Sequence, residues 1–286
     1  MSLDPGLDRD EVLRVIRAGL DEDLRYGPDV TSLATVPAAA VADAAVVSRQ
    51  PGTVAGIDVG VLVFDEVIGA GNYEILQRVA DGSRVEPGDA VLTVRAPTRL
   101  LLTAERTMLN LVCHLSGIAT ATAAWVAAVA GTDCRIRDTR KTLPGLRALE
   151  KYAVRAGGGV NHRMGLGDAA LIKDNHVVAA GSVVAALHAV RALRPGIACE
   201  VEVDSLDQLD AVLAENVELV LLDNFPLWRT QAAVQRRNVT APQTRLESSG
   251  GLSLDVAADY AGTGVDYLAV GALTHSVRVL DLGLDM

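Results

Sequence analysis

From Thr132 onward the chain alternates short apolar runs ending in polar residues with longer stretches of helical periodicity. CRIRDTR, AALIK, ACEVEVDS, LVLLDN, TRLESSG and DYLAVG read as strands, and 175–193, 206–214 and 227–237 as helices between them. Repeated strand then helix requires a parallel sheet, because parallel neighbours need a crossover connection. Neither a GxGxxG fingerprint nor a GxxxxGK loop occurs, which argues against a nucleotide-binding open sheet. Each strand ends in polar or small residues: Arg140 and Lys141, Lys173 and Asp174, Glu202 and Asp204, Asp223 and Asn224, Ser248 and Ser249, then Gly271. A parallel α/β barrel gathers such ends at one mouth.

The first part of the chain is patterned differently. Residues 8–24 place Val12, Val15, Ile16 and Leu20 on one face of an amphipathic helix. EDLRYGPDVTS is turn-rich and reads as a shaped loop. Residues 40–97 read as short strands and turns around a helix near 58–69. Their YEILQRVADGSRVEPGDAVLTVRAP resembles a lipoyl hairpin but has no lysine to carry the cofactor. Residues 98–130 are helical, with Gly117 expected to break them into two helices. The apolar span 109–131 is interrupted by Asn110, Ser116, Thr120 and Thr122, so a buried helix is expected rather than a membrane span.

Charge then locates the chemistry. The protein has a formal net charge of -10, yet residues 135–176 hold nine cationic side chains and two histidines. An acidic balance disfavours duplex nucleic acid or an anionic membrane as partner, while a local basic pocket still suits a small anion. Arg147, Lys151 and Arg155 follow i, i+4, i+8 and read as a solvated helix face from 144 to 156. Arg140, Lys141, His162, Arg163 and Lys173 do not; they lie at strand ends and in loops, where sites sit. Aromatic residues are only 3% of the chain, so the core is built from small aliphatic side chains between closely spaced layers. Three widely spaced cysteines and an acidic N-terminus without an apolar run make the cytoplasm the expected compartment.

Carboxylates stand opposite those cations. Glu202 and Asp223 can hold Mg2+, ribose hydroxyls or a developing cation, and Ser248-Ser249-Gly250-Gly251 precedes a helical stretch expected near Leu252. Barrel enzymes often seat phosphate in the loops after their last strands, which here are SSGG and Val270-Gly271. Together these groups suit reaction of an anionic acceptor with a phosphorylated sugar through an oxocarbenium-like state. A Schiff-base aldolase using Lys173, a pyridine monocarboxylate acceptor and a non-catalytic anion-binding module remain alternatives.

EDLRYGPDVTS, AERTMLNLVCHLSGIATAT, DTRKTLPGLRALEKYAVRAGGGVNHRMGLGDAALIKDNH, EVEVDS, LLDNF and LESSGG, in this order, resemble the quinolinate phosphoribosyltransferase family. A paralogous family in molybdate metabolism shares the barrel and stays open on motifs alone. The resemblance implies an N-terminal α/β sandwich over 1–116 and an incomplete, TIM-like α/β barrel of fewer than eight strands over 117–275. It lets the tail 276–286 pack on the sandwich. It implies quinolinate and phosphoribosyl pyrophosphate as substrates, Mg2+ as cofactor and a homodimer that shares its active sites. Arg106 would reach the partner's substrate, a role that rests on the family alone. Arg140, His162, Arg163 and Lys173 would hold the two carboxylates, with Thr139 beside them. Lys141, Glu202 and Asp223 would be catalytic, the two acids holding Mg2+ directly or through water or substrate. Ser249, Gly250, Gly251, Val270 and Gly271 would seat the 5′-phosphate.

Overall fold

The computed structural model describes residues 3–286, and Cα proximity divides it into two units. The first comprises the chain up to Ala123 with Thr142–Gly158 and Ala272–Met286; the second comprises Ala124–Lys141 and Gly159–Gly271. Elements are numbered in chain order.

In the first unit α1 (Arg9–Leu24) starts at Asp8, whose carboxylate accepts the amides of Asp10 and Glu11. Its buried face is Val12, Leu13, Ile16 and Leu20. The segment expected as a loop ends in a short helix, α2 (Val30–Thr35), because Asp29 accepts the Ser32 amide and caps it. An antiparallel sheet runs β12 (Leu282–Asp285), β1 (Val41–Ser48), β5 (Ala90–Pro97), β3 (Glu74–Arg78). The C-terminal tail thus supplies an edge strand, with Ala45 opposite Asp285. β2 (Gly52–Thr53) and β4 (Arg84–Val85) form a separate ribbon, and α3 (Ile57–Ile68) supplies much of the apolar core.

Two expectations are corrected in this part of the chain. α4 (Thr98–Ala128) runs unbroken through Gly117. A Cβ at Gly117 would lie 2.3 Å from the Arg278 carbonyl oxygen, so glycine serves close approach of the tail backbone, not a helix break. α4 is long and apolar enough to cross a membrane, yet Leu101, Met108, Val112, Leu115 and Ile118 are buried within the protein, making it a core helix. The second correction concerns α5 (Arg147–Ala156), where Lys151 is fully buried rather than solvated. The apolar residues Leu149, Ala153 and Val154 turn inward and carry Glu150 and Lys151 with them. Glu150 is met by His114 Nε2 at 2.9 Å and by the Leu143 amide. α11 (Ala272–His275) leads into the tail.

The second unit is a six-stranded parallel sheet in the order β6 (Arg135–Arg137), β11 (Tyr267–Ala269), β10 (Arg245–Ser249), β9 (Leu219–Asp223), β8 (Cys199–Val203), β7 (Ala170–Ile172). The first strand in sequence pairs with the last, as in a barrel, but β6 and β7 do not pair. Beyond β6, among the described residues, only a single bridge, Arg137 to Val160, continues the ladder. The result is the incomplete α/β barrel expected from the sequence.

Crossovers in this unit are α6 (Asp174–Ala180), α7 (Val183–Leu193), α8 (Leu206–Ala214), α9 (Leu227–Thr240) and α10 (Ala257–Ala261). The stretch 175–193, read as one helix, is two helices bent by 88°. Gly181 ends α6 with φ +88° and the Ser182 hydroxyl caps α7 by accepting the Ala185 amide.

Candidate active site

A cavity of about 490 Å³ opens among the C-terminal ends of the parallel strands. It is lined by Thr139, Arg140, Lys141, His162, Arg163, Lys173, Glu202, Asp223, Ser249, Gly250 and Gly251, all expected site residues. Leu171, Leu221, Asn224, Glu247 and Ala269 complete the wall. Arg106, Val270 and Gly271 do not line it. Arg106 lies on α4 with its guanidinium 3.9 Å from Glu105, and Val270 is buried with its amide donating to the Arg137 carbonyl.

Strand alternation decides who faces the cavity. Glu202 of β8 pairs in register with Leu221 of β9, which pairs with Glu247 of β10. One level nearer the mouth, Asp223, Ser249 and Ala269 align. The intervening Val201, Val203, Val220, Leu222, Leu246 and Leu268 are buried on the opposite face.

The cations are arranged with donors to spare. Arg163 Nη1 donates to the Ala169 carbonyl at 2.8 Å, but its Nε and the Nε of Arg140 are buried without a partner among the described residues. Burial holds the Arg163 guanidinium below its ordinary value, and the neighbouring charge of Arg140 adds to this. Two like charges with unused buried donors form a seat for an anion. Lys173 Nζ is 2.6 Å from Glu202 Oε2, while Lys141 follows a turn in which its amide donates to Thr139 Oγ1.

The small-residue rim has a steric reason. A Cβ at Gly250, whose φ is +97°, would lie 2.2 Å from Asn224 Oδ1, so the loop after β10 can be that close only as glycine. Asn224 itself takes φ 53° and donates its amide to the Ser249 carbonyl. The helical segment expected near Leu252 instead begins as a single 3-10 turn at Leu254–Val256. A phosphate here would therefore meet loop amides rather than a long helix.

Beneath the rim lies a layer that the strand-end reading did not single out. His162, Glu200 and Glu247 are 8%, 5% and 0% exposed, and their ligand atoms lie within 4.8 Å of one another. His162 Nε2 is 2.6 Å from Glu200 Oε2, and Arg137 Nη1 donates to Glu247 Oε2 at 2.7 Å. Burial pushes both carboxyls up to about 7; for Glu247 the charge of Glu200 adds to it. Buried Asp138 accepts the amide of His162 and the side-chain amide of Asn161 at 2.5 Å, fixing that loop. The signal was present in the sequence: Glu200 and Glu247 each stand two residues before a strand-end site residue and share its face.

As for a metal, His162, Glu200 and Glu247 form the one three-membered ligand cluster among the described residues. Arg137 already supplies its positive charge and His162 Nε2 already meets Glu200, so it fits a divalent ion poorly. Glu202 and Asp223 at the mouth offer carboxylate oxygens of the kind Mg2+ takes.

Two family models match: the quinolinate phosphoribosyl transferase N-terminal domain over residues 29–116 and its C-terminal domain over 118–285. A nicotinate-nucleotide pyrophosphorylase [carboxylating] of Mycobacterium leprae is 70% identical over 271 residues, covering 95% of each chain. The human protein of that name is 36% identical over 262 residues, covering 91% of this chain and 87% of its own. The solved structure of NadC from Streptococcus pyogenes superposes with a TM-score of 0.92 at 37% identity, covering 100% of this chain and 98% of that one. The chain belongs to the quinolinate phosphoribosyl transferase family.

Proposed function

We infer that this enzyme transfers the phosphoribosyl group of phosphoribosyl pyrophosphate to quinolinate, yielding nicotinate mononucleotide, pyrophosphate and carbon dioxide in NAD biosynthesis. The observation that carries this reading is the pair Arg140 and Arg163, two guanidiniums with unused buried Nε donors beside the Lys173 ammonium. Such a set suits a substrate with two carboxylates better than one with a single carboxylate. The aldolase alternative is weakened by Lys173, whose ammonium is paired with Glu202 and about half exposed, whereas an amine nucleophile must lose its proton.

Arg140, Arg163 and Lys173 hold the dicarboxylate so that its ring nitrogen faces the anomeric carbon, and orientation supplies much of the rate. His162 forms part of the floor. Lys141 neutralises the departing pyrophosphate, while Ser249, Gly250 and Gly251, with Val270 and Gly271 behind them, receive the 5′-phosphate. Glu202 and Asp223 face the ribose, where positive charge develops, and would hold Mg2+, whose charge supports loss of pyrophosphate. The nitrogen attacks as pyrophosphate departs. The positive ring nitrogen then stabilises the electron pair left on carbon as carbon dioxide leaves, and that carbon takes up a proton. Arg106 completes the site of a partner subunit in a homodimer.

The test is pyrophosphate release from phosphoribosyl pyrophosphate and Mg2+ with quinolinate, nicotinate or no acceptor. Release with quinolinate alone, matched by carbon dioxide, is expected; release with nicotinate at the same rate would overturn the acceptor, and none with either would overturn the reaction.

A further inference from the structure

A carboxyl group on the floor of a pocket made for a dianion is out of place if it is charged. Glu247 lines the cavity, is 0% exposed, and spends Oε2 on Arg137 Nη1 at 2.7 Å. Its Oε1 is buried with no partner among the described residues. A buried polar atom left over beside a cavity awaits a ligand atom.

The charge balance around it is set by geometry. Arg137 on β6 faces Glu247, Glu200 on β8 lies within 4.8 Å, and Tyr267 is its register partner on β11. Leu221 is its neighbour on β9, and Arg245 shares its face of β10. Arg245 is taken by the Tyr267 hydroxyl at 2.7 Å. His162 lies against the same pair, with Nε2 2.6 Å from Glu200 Oε2 and the Arg163 amide donating to Nδ1 at 2.8 Å. Arg137 is shared between two buried carboxyls within 4.8 Å of each other; Arg163 and Lys173 offset the charge of Glu200 and His162 that of Glu247, while the charge of Glu200 disfavours a second one on Glu247. Burial favours the neutral form of Glu247 in the same sense.

We propose that Glu247 is a specificity-determining residue: its carboxyl, kept neutral, donates a hydrogen bond from Oε1 to a carboxylate of the bound dianion. The proposal rests on the function inferred above. A neutral acid adds a directional donor beneath the cations without adding a charge, and a neutral carboxyl can serve an anion where a carboxylate would repel it. Selectivity follows, because a substrate lacking the matching carboxylate leaves this donor unpaired.

The experiment measures quinolinate dissociation constants between pH 6 and pH 8.5, without phosphoribosyl pyrophosphate, on wild type that has first been shown to form nicotinate mononucleotide. Quinolinate stays a dianion throughout. Wild-type affinity is expected to weaken by about tenfold per pH unit once Glu247 ionises in the free protein. Glu247→Gln keeps an N–H donor and cannot ionise, so its affinity should lie within about threefold of wild type at pH 6 and stay flat to pH 8.5. Glu247→Ala removes the donor and should bind at least about tenfold more weakly at pH 6. A flat wild-type profile, or a Glu247→Gln protein bound about a hundredfold more weakly at pH 6, would overturn the proposal. Should Glu247→Gln not fold, proton uptake decides: wild type at pH 8 takes up about one proton per bound quinolinate if the proposal holds and none if it fails. Wild type without turnover would instead count against the inferred function.

Discussion

Lys173 Nζ and Glu202 Oε2 are 2.6 Å apart, so the cation assigned to the acceptor and the acid assigned to the ribose are bound to each other. Substrate must share or replace that contact, and the two residues should act as a unit. Lys173→Met and Glu202→Gln are each expected to lower kcat/KM for quinolinate by at least about tenfold, with a double variant losing less than the product. Steady-state kinetics on the four proteins checks this; multiplicative losses would show the residues act independently.

Arg163→Met should separate function from stability. The guanidinium is disfavoured by burial and by Arg140, so removing it relieves repulsion while taking away an anion ligand. We expect KM for quinolinate to rise by about a hundredfold and the thermal midpoint to hold or rise slightly. Arg163→Lys should rescue little, because a point charge cannot reproduce the planar fork.

The rim and most of the barrel were legible in the sequence because a polar residue closing an apolar run is conspicuous. Five of the six strands of the parallel sheet are marked that way, and the sixth, β11, closes on Gly271. The floor was not, because attention to strand ends passes over Glu200 and Glu247, whose importance comes from pairing across strands far apart in sequence. Lys151 was misread for a similar reason: i, i+4 spacing shows that residues share a face, not which way that face turns. Gly117 looked like a break because the chain that presses on it lies more than 150 residues later.

The shared-site dimer is testable by mixing. Arg106→Ala and Lys173→Ala homodimers should both be nearly inactive. If Arg106 serves the partner's site, subunit exchange rebuilds one intact site in each mixed dimer, restoring about a quarter of wild-type activity at random pairing. No recovery, with exchange demonstrated by mass spectrometry, would place Arg106 outside the partner's site.

Gly117→Ala should be destabilising although alanine is the better helix former. Its Cβ would meet the Arg278 carbonyl oxygen at 2.3 Å, and overpacking of this kind costs about 1–3 kcal/mol. A thermal midpoint lower by several degrees is expected by calorimetry; an unchanged midpoint would mean the tail yields freely.

Stability should fall as pH rises through the buried layer. The folded carboxyls of Glu200 and Glu247 lie up at about 7 against an ordinary 4.5. Above 4.5 the unfolded chain has released protons that the folded protein keeps, so stability declines toward about 7 and then levels off. Glu247→Gln should flatten part of that decline in denaturant titrations at pH 5, 6 and 7.

Arg245, Glu247 and Ser249 occupy alternate positions of one strand, at base, floor and mouth. A slide of that strand by a single residue would present Leu246 and Ser248 in their place and erase the chemistry while leaving the composition untouched. What is inherited as catalysis is here a matter of phase. Insertions or deletions within these short strands should be far more damaging than substitutions.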